Sequence, residues 1–234
     1  MTRLATLQQQ SIDFYAVMAG QFGPDNLAGP FVSVDPRGHY PKDQWSVFYV
    51  GQATRGNWGR YEFDAGPNLF ERRSFTQEFL LSSSDLGSVH KSNFWRFAYR
   101  LSAVVARTEH SVPYLGNLIW SNLAKIGTQS GNPHGQYLSA QIDLNIDMLR
   151  AEIDEYQPTL IVIAAGLFGG LIIEGAIAKF DSPSWEKEND DDGYWWRLAV
   201  GKMPPVLFTN RPGRAPRSDK EKWLSCARQL IEPS

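Results

Sequence analysis

Residues 51–59 read Gly-Gln-Ala-Thr-Arg-Gly-Asn-Trp-Gly, which sets Gln52, Thr54, Arg55 and Asn57 among three glycines. Glycines let a backbone approach a ligand closely, and the amides, hydroxyl and guanidinium supply hydrogen-bond donors. A ligand site and an ordinary glycine-rich turn both fit this composition. The segment is neither a phosphate cradle ending in Gly-Lys-Ser/Thr nor a GxGxxG turn. Farther on, Asn122 follows the apolar run Leu118-Ile119-Trp120. Its carboxamide can pair with the edge of a nucleobase or hold its own turn. A third cluster, Thr209–Arg217, gathers Arg211, Arg214 and Arg217 beside Asn210, Pro212 and Gly213. Arginines on a small, kinked loop suit phosphate contacts, or simply a soluble turn.

Other reactive side chains add little. His39, His90, His110 and His134 show no metal-ligand spacing with one another or with Cys226, the single cysteine. One cysteine excludes an intrachain disulfide framework and a multi-cysteine zinc site. No GxSxG elbow is present. Neither a metal nor a cofactor is expected.

These clusters need elements to position them. Leu4, Leu7, Phe14, Tyr15, Met18 and Phe22 predict a helix over residues 3–22, and the Pro/Gly content of 23–43 predicts a long loop. Residues 45–50 read as a buried strand closed by Gly51, with loop over 51–69. A helix over 93–107 has Phe94, Phe97, Ala98, Leu101, Val104 and Val105 on one face. Leu118-Ile119-Trp120 reads as a second strand turning at Ser121-Asn122. A helix over 140–156 stops at Pro158. Thr159–Ala165, apolar on both faces, reads as a central parallel strand, and 167–179 as a helix.

Tyr194–Val200 is an accessory strand and Pro205–Thr209 a buried one. Ser218-Asp219-Lys220-Glu221 matches a capping box opening the last helix, with Trp223, Leu224, Ala227, Leu230 and Ile231 inside and Cys226 as a small core residue. Helices and strands alternate, which predicts a three-layer α/β/α sandwich around a mostly parallel four-stranded sheet. Ligands bind such sheets outside the carboxyl ends of the strands. That rule selects the loops at 51–66, 121–136, 166–170 and 209–217. The expected organisation is an N-terminal helix and connecting loop, residues 1–44, packed on an α/β domain spanning 45–234.

Composition bounds the partners. The 234 residues suffice for one sizeable core, and no apolar run approaches the roughly 20 residues needed to span a bilayer. With no signal-like start, a cytoplasmic protein free of the membrane is expected. A net charge of −2 argues against coating nucleic acid by bulk charge. That average conceals a separation: residues 181–192 carry six acids and residues 202–222 carry six bases. The basic stretch is compatible with a small, salt-sensitive DNA footprint. Aromatics at 13% point to a large aromatic core, and beside Gly and Asn in a loop to a stacking surface.

In order, the motifs are a strand ending in Gly-Gln, an apolar run ending in Asn, a Pro-led apolar strand ending in Gly, and a late strand before a small-residue loop. Over residues 45–231 this order resembles the uracil-DNA glycosylase superfamily. The resemblance implies that the fold is of that type, and that the protein binds a base flipped out of DNA and hydrolyses its N-glycosidic bond. The base would be uracil, a damaged base in repair, or a modified phage base in antiviral defence.

The resemblance gives Gln52, Thr54 and Asn210 as candidate catalytic residues. It gives Gln52, Arg55, Trp58, Phe63 and Asn122 as contacts to the base, with Phe63 or Trp58 stacking on it. Arg211, Arg214 and Arg217 would hold DNA phosphates. The chain departs from the family pattern at two places. Ala53 stands where the family has its water-activating Asp, and Asn210 where it has a loop His. Glu62 and Asp64 are the carboxylates nearest the first loop. A binding module that keeps the pocket without the chemistry is the alternative.

Overall fold

The computed structural model describes residues 1–35, 45–55, 68–81, 92–107, 117–166, 168–178, 184–186, 189–190, 193–194, 196–199 and 204–231. Its helices are α1 (Arg3–Phe22), α2 (Leu69–Leu81), α3 (Asn93–Ala106), α4 (Gln136–Ser139), α5 (Ile142–Tyr156), α6 (Gly170–Ala178) and α7 (Arg217–Ile231). Its strands are β1 (Leu27–Ala28), β2 (Val47–Arg55), β3 (Leu118–Thr128), β4 (Leu160–Ile163), β5 (Ser184–Glu186), β6 (Asn189–Asp190), β7 (Gly193–Tyr194), β8 (Trp196–Ala199) and β9 (Val206–Phe208).

Val47-Phe48-Tyr49-Val50 and Leu160–Ile163 are β-branched or aromatic and buried on both faces, as central parallel strands must be. They lie side by side in a sheet ordered β1-β3-β2-β4-β9-β8-β5. The middle four strands, β3, β2, β4 and β9, run parallel. β1 joins one edge antiparallel, and β8 with β5 extend the other in the same sense. The sheet therefore has seven strands among the described residues, where the sequence predicts four. The added ones are short, and their two to four residues carry too little pattern to stand out.

Alternation along the strands sends side chains to two cores. Val47, Tyr49, Leu118, Trp120, Val162 and Leu207 face α3 and α7, with Leu80 of α2. Phe48, Val50, Ile119, Leu123, Ile161 and Val206 face α5, α6 and the start of α1. Helices thus cover both faces of the sheet, as the alternating element order predicts. Among the described residues, no helix is long and apolar enough to cross a membrane.

Several boundaries differ from expectation. β2 passes Gly51 and continues to Arg55, and β3 passes Ser121-Asn122 and continues to Thr128. The two pair throughout with one register shift between Ala53 and Arg55. Side-chain amides serve the backbone there: Gln141 accepts from the Ile126 amide at 3.1 Å and donates to the Ile126 carbonyl at 2.9 Å, while Asn145 accepts from the Lys125 amide at 3.2 Å. Within the expected loop over 23–43, Phe31, Val32, Ser33 and Val34 are buried.

The capping box does not form. Ser218 lies inside α7, and Glu221 instead bonds Arg100 at 2.5 Å and faces Arg217 at 3.6 Å. Those two guanidinium groups hold the exposed Glu221 carboxyl below its ordinary pKa, the Arg100 hydrogen bond contributing most.

Under the sheet a charged pair is sealed from solvent. Lys125 and Glu152, 1% and 0% exposed, meet at 2.8 Å. Lys125 also donates to Ser121 at 2.6 Å, and Ser121 and Ser33 each donate to Glu152 at 2.8 and 2.6 Å. Gln8 of α1 donates to the Ser33 carbonyl at 3.0 Å and accepts twice from Arg73 of α2. Burial lowers the Lys125 pKa, and Glu152 opposes that shift. The network links α1, the 31–34 segment, β3, α5 and α2, so it fixes how the N-terminal helix sits.

Candidate functional site

With β3 on one side of β2 and β4 on the other, the chain changes winding direction at β2. In a parallel sheet such a reversal opens a crevice beyond the carboxyl ends of the strands. A cavity of about 300 Å³ lies here, lined by Gly51, Gln52 and Ala53 of β2, Trp120 and Asn122 of β3, and Ala164 just past β4. Ser92, Phe94 and Trp95 at the start of α3 form a second wall, and Asn132, Arg211 and Gly213 complete it.

Its floor depends on one missing side chain. Gly51 pairs in register with Asn122. A Cβ at position 51 would lie 2.6 Å from the Asn122 Oδ1 and 3.1 Å from the Phe94 ring, closer than atoms pack. Glycine therefore lets the Asn122 amide and the Phe94 ring sit over the strand together. Tyr49, two residues back on the same face, supports that ring at 4.7 Å between centroids and donates its hydroxyl to the Phe94 carbonyl at 3.2 Å. Burial raises the Tyr49 pKa well above its ordinary value, so the phenol keeps its proton. Trp95 stands edge-on to Phe94 at 5.4 Å and to Trp120 at 4.8 Å.

Asn122 is 2% exposed, and its Nδ2 has no hydrogen-bond partner among the described residues. A buried amide donor without a partner costs about 1–3 kcal/mol, so it requires a reason. Gln52 is the opposite case. Its Nε2 donates to the Ala165 carbonyl at 2.7 Å, and its Oε1 accepts from the Asn132 Nδ2 at 2.7 Å. The side chain thereby bridges the ends of β2 and β4 and the loop after β3. Among the described lining residues there is no carboxylate and no imidazole; Arg211 is the ionisable side chain.

Of the residues expected at the site, Gln52, Asn122 and Arg211 line one cavity. Asn122 does so from within β3, not from a turn, because the strand continues beyond it. Asn210 stands beside Gly166 and is not among the cavity lining; its neighbour Arg211 takes that place. Arg214 and Arg217 are exposed outside the cavity, and Arg217, with a side chain 90% exposed, faces Glu221. Thr54 and Arg55 belong to β2, but their side chains, like Trp58, Glu62, Phe63 and Asp64, lie outside the described residues. His134 is exposed, with its Nδ1 3.3 Å from the Asn132 carbonyl.

Sequence reasoning missed Ser92, Phe94, Trp95, Trp120 and Asn132 as cavity residues. Phe94 and Trp120 sit in clear apolar patterns and read as core. Asn132 lies in Gly131-Asn132-Pro133-His134-Gly135, where the turn-forming Asn-Pro pair was visible but its partner Gln52 was not.

No protein-family model matches the chain, and no curated protein is significantly similar to it in sequence. Among solved structures the chain is similar to a domain of unknown function, DUF1537, from Bordetella bronchiseptica, a domain-swapped dimer with bound citrate. The identity is 12% and the TM-score 0.35, over 81% of this chain and 41% of that one. The chain thus spans well under half the length of that structure.

Proposed function

We propose that the cavity receives a base turned out of DNA, and that the protein is a DNA glycosylase-like enzyme akin to the uracil-DNA glycosylases. The carrying observation is the unpartnered Asn122 amide, buried in a cavity walled by Phe94, Trp95 and Trp120. A planar heterocycle with a carbonyl oxygen would satisfy that donor and stack on the aromatic wall. Stacking is worth about 1–3 kcal/mol per base, comparable with the few kcal/mol that unstacking costs. Gln52 and Asn122 face one crevice from neighbouring parallel strands, which agrees with the motif order.

In the hydrolysis, water adds to the sugar carbon as its bond to the base breaks. The bonding electrons leave with the base, which then takes up a proton. Asn122 would donate to the base oxygen as negative charge grows there, and Gln52 would hold the crevice open at fixed width. The acid or base that activates water is assigned to Glu62 or Asp64, outside the described residues.

A module that binds the base without hydrolysis is the second reading. It is favoured by the lack of carboxylate and imidazole among the described lining residues. Incubation with uracil-containing DNA, or with DNA from modified-base phages, followed by alkaline cleavage separates the two. Abasic sites support the enzyme, and retention of labelled DNA without abasic sites supports the module. If neither occurs with any of these DNAs, the base-binding proposal fails.

A further inference from the structure

The wall formed by the first turn of α3 carries chemistry that base recognition leaves unused. The amides of Asn93, Phe94 and Trp95 have no upstream carbonyl within this 14-residue helix. Ser92 stands at the N-cap, where a serine hydroxyl usually accepts from the second or third amide, yet it makes no such bond. Ser92, Phe94 and Trp95 all line the cavity, and Arg211 reaches the same space from beyond β9. A second observation points independently to a ligand: the Asn122 Nδ2, on a residue 98% buried, lacks a partner in that cavity. The polar groups are rich in donors, and the charge is about one from Arg211 plus about half a unit from the helix end.

We propose that the ligand is a nucleotide bearing a phosphomonoester, its phosphate at the first turn of α3 between Ser92 and Arg211. This rests on the assignment of the aromatic part of the cavity to a base. A phosphomonoester carries about −1.5 to −2 at neutral pH, which balances that positive charge; a diester within a strand carries one negative charge. The cavity, near the lower end of ligand-pocket sizes, suits a single nucleotide. Two sources share this chemistry: a free nucleotide and the 5′-phosphorylated end of a DNA strand.

Calorimetric titration of the full chain with 2′-deoxyuridine, its 5′-monophosphate and inorganic phosphate tests the assignment. The monophosphate should bind at least about tenfold tighter than the nucleoside, with the margin narrowing below about pH 6 as the phosphate gains a proton. Arg211→Gln should remove most of that margin and Ser92→Ala a few-fold of it, whereas the exposed Arg214→Gln should leave it unchanged. Equal affinities for nucleoside and monophosphate would overturn the phosphate site and leave base binding intact. Inorganic phosphate binding as tightly as the monophosphate would overturn the base pocket, and the nucleotide assignment with it. Short DNA strands with 5′-phosphate or 5′-hydroxyl ends distinguish the sources: preference for the phosphorylated strand over the mononucleotide identifies a DNA end, and the reverse a free nucleotide.

Discussion

Asn122 and Gly51 are a pair in which one residue's function is the other's constraint. The Asn122 amide is buried at a cost and contacts no partner, so its removal should not weaken the fold. Asn122→Ala is expected to leave the urea midpoint unchanged or raised while cutting base binding at least about tenfold. A loss of more than about 2 kcal/mol would instead make the side chain structural. Gly51→Ala should act in the opposite way. The new methyl meets Asn122 and Phe94, and overpacking of this kind costs about 1–3 kcal/mol. Thermal unfolding should show that loss, and the double variant with Asn122→Ala should recover part of it. Of this pair, the sequence discloses Asn122 as a candidate but not its exchange with Gly51. Close approach between strands depends on register, which periodicity does not fix.

At the scale of elements, the long helices and the apolar strand cores were legible because burial imposes their periods. α1 and α3 match their predicted spans almost to the residue. α2 was not legible. Its inner face is Arg72, Thr76 and Leu80, so a buried stripe with two polar members shows no apolar rhythm. The extra lengths of β2 and β3 were hidden for a related reason. Beyond Gly51 and Ser121 the strands carry Gln, Thr, Asn and Lys, and side-chain amides from α5 and its N-cap support the backbone. Gln141→Leu would leave the Ile126 amide and carbonyl without that support. A loss of about 2–5 kcal/mol is expected, from about 1–3 for each group. Hydrogen exchange should show it first at the Ile126 amide, and unchanged protection there would contradict the assignment.

For the molecule as a whole, stability rests on groups sealed between layers, and pH reaches them unequally. Burial raises the pKa of Tyr49 and of Tyr156, so both keep their protons when folded at pH values where unfolded phenols, near 10, lose them. The unfolded chain then binds fewer protons, and stability falls as pH rises through 10 and beyond. Each tyrosine should contribute a slope of about 1.4 kcal/mol per pH unit. Lys125 works against them: with its folded pKa lowered, stability rises between that value and the ordinary one near 10.5. The two tyrosines outweigh it, so urea midpoints at pH 9, 10 and 11 should decline, and a flat series would contradict the burial of these phenols. Breaking the pair itself is more severe. Glu152→Ala leaves the Lys125 ammonium sealed without its carboxylate, and a loss of about 3–5 kcal/mol in urea unfolding is expected.

The same network sets an order of assembly during synthesis. Ser33 and its carboxylate partner are separated by 119 residues. At about 5–20 residues per second, a ribosome needs about 6–24 s between them. Over that interval α1 and the 31–34 segment have left the ribosome without the anchor that seats them. The amino-terminal helix is therefore made early and fastened late, and its docking waits for α5.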